Sequence, residues 1–426
     1  MTIELSASSL DFRSIVRPGD HVFWSQGTAE PLTLSETLIR QRADLGPLEL
    51  FLGVAYSNTL QPEHTDHLKV SSYGAIGNNQ RLAKAGLLHV LPCHYSQLPI
   101  LLSRRELRCD VAFLQLSAPD GSGAYSLGVG NDYMLEAARQ ARVVIAEVNE
   151  RAPWTFGSEQ LKGTRIDYIV HSSRALLEVK ANPPGEVESR IGVCAATYIP
   201  DGAVIETGIG AIPDAVLAAL ADHRDLGVHT GMMGDSMLDL IEAGIVTNRH
   251  KSIDTGKSVS GVLFGTQRLY NYAHRNQQIR LCPTSYTHNP AVLAQLHNLV
   301  AINSALEVDL SGQVNAEVGS GAYVGAIGGQ VDFVRAANSA TLGRSIIALP
   351  STAKDDTISR IVVRLTCGVT TTPRSDADLV ITEWGAAELR GQTIPERARR
   401  LIAVAHPKFR EQLERDAYGL MRNNIA

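Results

Sequence analysis

The chain has 426 residues, of which 44% are hydrophobic, 5% aromatic and 19% charged, and 39 Lys and Arg against 44 Asp and Glu give a formal net charge of −5. That length predicts two domains or three in a soluble globular protein, and with no basic cluster and few aromatics there is no footprint for nucleic acid. No stretch approaches the roughly 18 consecutive apolar residues of a membrane span, and Met1 to Leu5 lack the basic start and apolar run of a signal peptide.

The first element in chain order is a repeated one. Residues 19–31 read Gly19-Asp-His-Val-Phe-Trp-Ser-Gln-Gly27-Thr-Ala-Glu-Pro31, and residues 201–213 read Asp201-Gly-Ala-Val-Ile-Glu-Thr-Gly-Ile-Gly210-Ala-Ile-Pro213. Each is a turn, a β-rich run, a glycine bend and a proline suited to the first turn of a helix. An apolar-periodic segment follows each, over Leu32 to Arg42 and Ala215 to Ala221. Asp44-Leu-Gly46 and Asp225-Leu-Gly227 then lead into second short strands at Leu48 to Gly53 and Gly227 to Gly231. Strand, glycine turn, helix and strand make a parallel βαβ unit, so two copies predict a duplicated α/β protein.

Val111 to Ser117 and Val143 to Val148 read as buried parallel strands, with a helix starting near Tyr133 between them. Leu299 to Ile302, Ser345 to Leu349 and Leu379 to Thr382 repeat the pattern in the second half. Pro183-Pro-Gly-Glu-Val187 is the predicted linker, and Pro395 to Leu420 reads as a charged amphipathic helical tail. The expected architecture is α/β, two open domains with mainly parallel sheets, at residues 1–184 and 185–426.

Cys93, Cys109, Cys194, Cys282 and Cys367 are odd in number and scattered. They predict free thiols in a reducing cytoplasm, with no disulfide framework. The 13 histidines have no metal-ligand spacing, and no metal site is expected. Gly208-Ile-Gly210-Ala-Ile-Pro213 misses the dinucleotide fingerprint because its third glycine is a proline. Thr255-Gly-Lys-Ser258 ends like a P-loop but has Lys251 where the first glycine belongs. Glycine-rich stretches at Ala118–Ser126, Gly319–Phe333 and Thr382–Gly385 sit at strand ends, where backbone amides can approach a ligand. Together they predict a ligand site at the domain junction.

Gly208-Ile-Gly-Ala-Ile-Pro-Asp-Ala-Val216, Ala301-Ile-Asn-Ser-Ala-Leu-Glu-Val-Asp309, Gly328-Gly-Gln-Val-Asp-Phe333 and Val380-Ile-Thr-Glu-Trp-Gly385 resemble the acetyl-CoA hydrolase/transferase family of class I CoA-transferases. The resemblance runs from Pro18-Gly-Asp20 to Ala405-His-Pro407. It implies acyl-CoA bound between two α/β domains, a small carboxylate as CoA acceptor, no other cofactor, and a homo-oligomer. It also implies a glutamate nucleophile that forms an enzyme glutamyl-CoA thioester. Asn289 and the amides around Gly328 and Gly329 resemble the oxyanion donors, and Glu383 resembles a second active-site carboxylate. The expected CoA contacts are Gly208, Gly210, Ile212, Gly325, Gly328, Gly329 and Gln330.

One position departs from the family. The nucleophilic glutamate belongs to a strand-end motif Gly-[Ile/Val]-His-[Ser/Thr]-Glu-Met, and here the stretch reads Gly227-Val-His-Thr-Gly231-Met232. A glycine offers no nucleophile. Three readings stay open: an acyl-CoA hydrolase or lyase in which water or substrate fills the space, with Glu383, Asp235 or Glu307 as base; a transferase in which Gly231 is an introduced replacement; or a CoA-binding subunit without catalysis.

Overall fold

The computed structural model describes residues 2–157, 161–181 and 183–423. Eight strands of the first half form one sheet: β1 (Ile3–Leu5), β2 (His21–Trp24), β3 (Leu48–Leu52), β4 (Leu68–Ser72), β5 (Leu88–Val90), β6 (Val111–Ser117), β7 (Val143–Asn149) and β8 (Tyr168–Ser172). Their order is β1-β8-β7-β6-β2-β3-β4-β5, and every pair is parallel. All seven residues of both β6 and β7 are buried. That explains their unbroken apolar runs, because a parallel strand covered on both faces has no polar side to alternate with.

The second half forms a six-stranded sheet from β9 (Val204–Thr207), β10 (Gly227–Val228), β11 (Leu299–Ser304), β12 (Arg344–Ala348), β13 (Leu379–Thr382) and β14 (Gly385–Glu388). The order is β10-β9-β11-β12-β13-β14, parallel except for the closing β13–β14 hairpin. Parallel pairing aligns the carboxyl ends of β9, β11, β12 and β13 along one rim, where open α/β sheets bind ligands.

Both copies of the repeat are strand, helix, strand: β2, the Leu32–Leu45 helix and β3, then β9, the Ala211–Ala218 helix and β10. A helix begins at Glu186, so the linker expected over Pro183–Val187 ends before that residue. The single helical tail expected from Pro395 is two helices, Ile394–Val404 and Pro407–Asn423. Proline ring atoms push the preceding residue out of the helical region, which breaks the run ahead of Pro407. Cys93, Cys109 and Cys282 are buried, and Cys194 and Cys367 half-buried, all without disulfides.

The halves are joined main chain to main chain. Ala75 N donates to Gly325 O at 2.9 Å, Tyr95 N to Gly328 O at 2.8 Å, Asn131 N to Gly261 O at 2.8 Å and Leu281 N to Phe156 O at 2.9 Å. Ser96 Oγ adds a bond to Asp332 Oδ1 at 2.7 Å. Val262 and Phe264 from the second half are buried in the first half's core, with Ile209, Met232 and Ala326 packed against it.

Candidate active site

Gly231 lies just past β10, where the chain crosses this junction. Its carbonyl accepts from Gly261 N at 3.2 Å and Val262 N at 3.1 Å. The Thr230 hydroxyl donates to Thr207 O at 2.9 Å, tying the loop to the end of β9. Chain neighbours aside, only His288 comes within 4 Å of where a Gly231 side chain would begin, with Cε1 at 2.8 Å and Nε2 at 3.0 Å. The same ring faces Gly329 from the other side: Nε2 is 2.4 Å and Cδ2 2.7 Å from where its Cβ would stand. The imidazole therefore separates two glycine backbones that are themselves half-exposed.

Packing fixes the ring. Tyr95 and Phe333 lie against it, each with ring centroids 4.8 Å away. Burial, with His229 nearby, pulls the His288 pKa down to about 3, so the ring is neutral. His229 Nε2 is 3.1 Å from Thr287 O, which can only accept, so Nε2 carries the proton and Nδ1 is left buried without a partner. Burial and then Lys251 lower the His229 pKa to about 4.

On the first half's side, Asp132 is buried beneath Tyr73, Tyr95 and Tyr133. Met134 N donates to its Oδ1 at 2.8 Å, while Oδ2 has no partner. Burial raises its pKa to about 6. Gln26 joins this group, accepting from Tyr73 OH at 2.8 Å and Val54 N at 3.0 Å.

Gly325, Gly328 and Gly329 lie on the junction loop, and Gly328 starts from a left-handed φ of 53°. Among the described residues, the amides of Gly329 and Gln330 donate to no other group, while Gly328 is held in a parallel bridge with His94. They lead into the ten-residue helix Gln330–Ser339, whose first turn leaves amides unbonded. Gln330 contributes only its amide, because its side chain is buried and donates to Thr372 Oγ1 at 3.0 Å. Gly208 and Gly210, past the end of β9, have nothing within 4 Å of where a Cβ would stand. Ile212 packs on the core of the second half instead.

The carboxylates expected as bases are placed elsewhere. Glu383 follows β13, four strand spacings from β10, roughly 19 Å at the usual inter-strand distance. It accepts from Ser351 N at 2.9 Å and from the Ser351 hydroxyl. Glu307 is buried, accepting from Thr366 N at 3.0 Å, Thr366 Oγ1 at 2.8 Å and Asn315 Nδ2 at 3.1 Å. Both of its oxygens are engaged away from solvent. Asp235 accepts from Thr266 N through both oxygens, at 3.2 and 3.1 Å.

Asn289 also requires correction as an oxyanion donor. Its Oδ1 caps the next helix by accepting from Ala291 N at 2.9 Å, and its Nδ2 donates to Ser285 O at 3.1 Å. The amide oxygen is used in this cap and one Nδ2 hydrogen on Ser285 O, and the residue beside Gly231 is its neighbour His288. Among the described residues no group of three or more His, Cys, Asp or Glu is placed to hold a metal, and no helix is long and apolar enough to cross a membrane.

Comparison with known proteins adds the family. The model of the acetyl-CoA hydrolase/transferase N-terminal domain matches residues 6–179, and that of the C-terminal domain matches residues 265–417. The chain is 38% identical over 419 residues to the 4-hydroxybutyrate coenzyme A transferase of Clostridium kluyveri, covering 97% of this chain and 96% of that protein. It is 34% identical to the succinyl-CoA:cyclohexane-1-carboxylate CoA transferase of Geobacter metallireducens, covering 97% and 95%. Among solved structures, RipA from Yersinia pestis superposes with a TM-score of 0.90 at 34% identity, covering 98% of this chain and 97% of that one. The 4-hydroxybutyrate CoA-transferase of Porphyromonas gingivalis does so with a TM-score of 0.82 at 35% identity and the same coverage.

Proposed function

Given that the chain belongs to the acetyl-CoA hydrolase/transferase family and is an acyl-CoA-processing enzyme, we propose that it cleaves the thioester by direct attack of water, with no covalent enzyme–CoA intermediate. The observation that carries this reading is the neighbourhood of Gly231. No carboxylate lies within 4 Å of where its side chain would start, and a nucleophile has to reach about 3–3.5 Å from the carbonyl carbon. The acyl-CoA lies at the junction, its carbonyl oxygen on the open amides of Gly329 and Gln330, where charge builds up in the tetrahedral state. Gly208 and Gly210 leave room for the CoA arm.

A carboxylate acceptor approaching over Gly231 is the second reading, favoured by the transferases among the relatives. CoA release from a panel of acyl-CoAs, with and without acetate, separates the two. Release at the same rate without acetate supports hydrolysis; release only with acetate overturns it. Borohydride treatment during turnover would convert any glutamyl thioester to an alcohol visible by peptide mass, and such an adduct would sink the direct-attack reading.

The proposal extends to organisation. The division at 184/185 gives each half one of the two large sheets, a homo-oligomer is expected in solution, and free thiols support a cytoplasmic setting. Glu383 keeps a narrower part, positioning CoA away from the reacting bond, so Glu383→Gln should change KM and leave kcat.

A further inference from the structure

Resting on the hydrolytic reading above, the geometry points to His288 as the base that takes the proton from the attacking water. Nδ1 is 2.8 Å from Thr287 Oγ1, and either atom can be the donor. Thr287 Oγ1 also lies 3.4 Å from Pro283 O. A base here uses the tautomer in which that hydroxyl points its hydrogen to Pro283 O and Nδ1 carries the ring proton. Nε2 is left with a lone pair and, among the described residues, no hydrogen bond.

That lone pair lies in the gap between Gly231 and Gly329, within 3.0 Å of one Cβ position and 2.4 Å of the other. It is therefore beside both the position that carries the nucleophile in the family and the amides that would hold the oxyanion. Tyr95 and Phe333 keep the ring from turning away, and Thr287 Oγ1 at Nδ1 orients it, as a third group does in a nucleophile–base arrangement. Chain neighbours aside, no other titratable side chain comes within 4 Å of the Cβ position of Gly231.

The step balances with one water. A water O–H gives its proton to Nε2 as the oxygen bonds to the thioester carbonyl carbon, and the carbonyl electrons move to oxygen at the Gly329 and Gln330 amides. When the carbonyl re-forms, the C–S bond breaks, and the departing CoA sulfur takes the proton from Nε2. The products are CoA and the free acid. Burial makes this imidazole a weak base, so turnover is slow. The pairing also explains the glycine: any side chain at 231 would press on the ring.

The test uses the full chain with an acyl-CoA that the wild type hydrolyses. His288→Gln should lower kcat about 100-fold or more, the scale of general-base assistance, while KM and CoA affinity by calorimetry stay within about twofold. The solvent deuterium isotope effect on kcat should disappear with it. His288→Ala opens the same space, and added imidazole should restore turnover in proportion to its concentration. A folded His288→Gln enzyme with wild-type kcat overturns the assignment and leaves the hydrolase reading standing. If His288→Gln does not fold, failure of imidazole to rescue a folded His288→Ala overturns it as well. Absence of water-dependent cleavage in the wild type fails the hydrolytic reading itself, and this inference with it.

Discussion

The two copies of the βαβ repeat place the same glycine bend in opposite surroundings. Gly27 and Gly210 both take positive φ, 60° and 124°, to turn the chain from a strand toward a helix. Around Gly27 the bend is sealed: a Cβ there would stand 2.5 Å from two atoms of the Phe264 ring, and Thr28 Oγ1 donates to Leu263 O at 2.6 Å. Around Gly210 it is open, with no atom within 4 Å of a Cβ at either Gly208 or Gly210. The repeat makes two glycine bends at strand ends, and the second half's Phe264 covers the first of them. A glycine bend at a strand end is thus only a potential site; what lies over it decides whether a ligand can use it.

Gly27→Val tests the sealed side and should have the largest effect. Overpacking costs about 1–3 kcal/mol and a branched residue at positive φ about 1–2 kcal/mol more. A loss of roughly 3–5 kcal/mol is expected in urea unfolding; a loss under about 1 kcal/mol would mean Phe264 does not seal the turn.

The strands under the two bends differ as well. Glu206 on β9 occupies the place of Phe23 on β2, and it is buried with Asn303 Nδ2 donating to it at 3.0 Å. Burial raises its pKa from 4.5 to about 8. The folded state then holds a proton that the unfolded state releases, so this contribution to stability is full below about pH 4.5 and lost as pH rises to 8. His229 and His288, lowered to about 4 and about 3, work the other way: they destabilise the fold as pH falls below 6.5. Around pH 7 Glu206 outweighs them, but Lys251, whose pKa burial lowers to about 8, opposes it as pH nears 8, so the net slope stays well below the about 1.4 kcal/mol per pH unit of one group alone. Glu206→Gln should flatten that slope in denaturant midpoints measured across the window; an unchanged slope would place the titration elsewhere.

Gly231→Glu sets a third test, on the seam between the two regions. Because the ring of His288 stands 2.8 Å from the new Cβ, the single variant should lose about 1–3 kcal/mol by overpacking and give no acceptor-dependent transfer. Gly231→Glu with His288→Ala should recover the stability and gain transfer with an adduct at position 231. Equal behaviour of the single and double variants would show that the ring does not hold the space.

The smallest effect belongs to the open bend. Gly208→Ala should change stability by less than about 0.5 kcal/mol, as at any uncrowded surface position, while Gly208→Val should weaken CoA binding in calorimetry. Unchanged affinity in a folded Gly208→Val protein would move CoA away from that turn.

The strands that the sequence exposes most clearly are those buried on both faces. β6 and β7 are continuous apolar runs because no residue of theirs meets water. β4 and β8 carry exposed or half-exposed positions among their apolar ones, and the short β1 is mostly exposed, so nothing in their composition separates them from loops. In the site, Gly231 and the Gly328-Gly329 pair stand out as residues. The histidine between them does not. A ring filling the room two glycines leave is a matter of volumes shared by segments far apart in the chain, and no local spacing records it. The resemblance pointed next door, to Asn289, whose Oδ1 caps the following helix.

The main-chain bond from Tyr95 to Gly328 also sets a schedule for synthesis. Tyr95 leaves the ribosome roughly 230 residues ahead of its partner, which at about 5–20 residues per second is an interval of about 10 to 50 s. Once β8 has followed, the first half holds a complete parallel sheet beside which the edge at Tyr95 lacks the loop that later pairs with it. Unpaired edges of that kind recruit other chains. The nascent protein is therefore most open to misassembly in the middle of its translation, and slowing the ribosome between residues 95 and 325 should raise aggregation more than slowing it after residue 330.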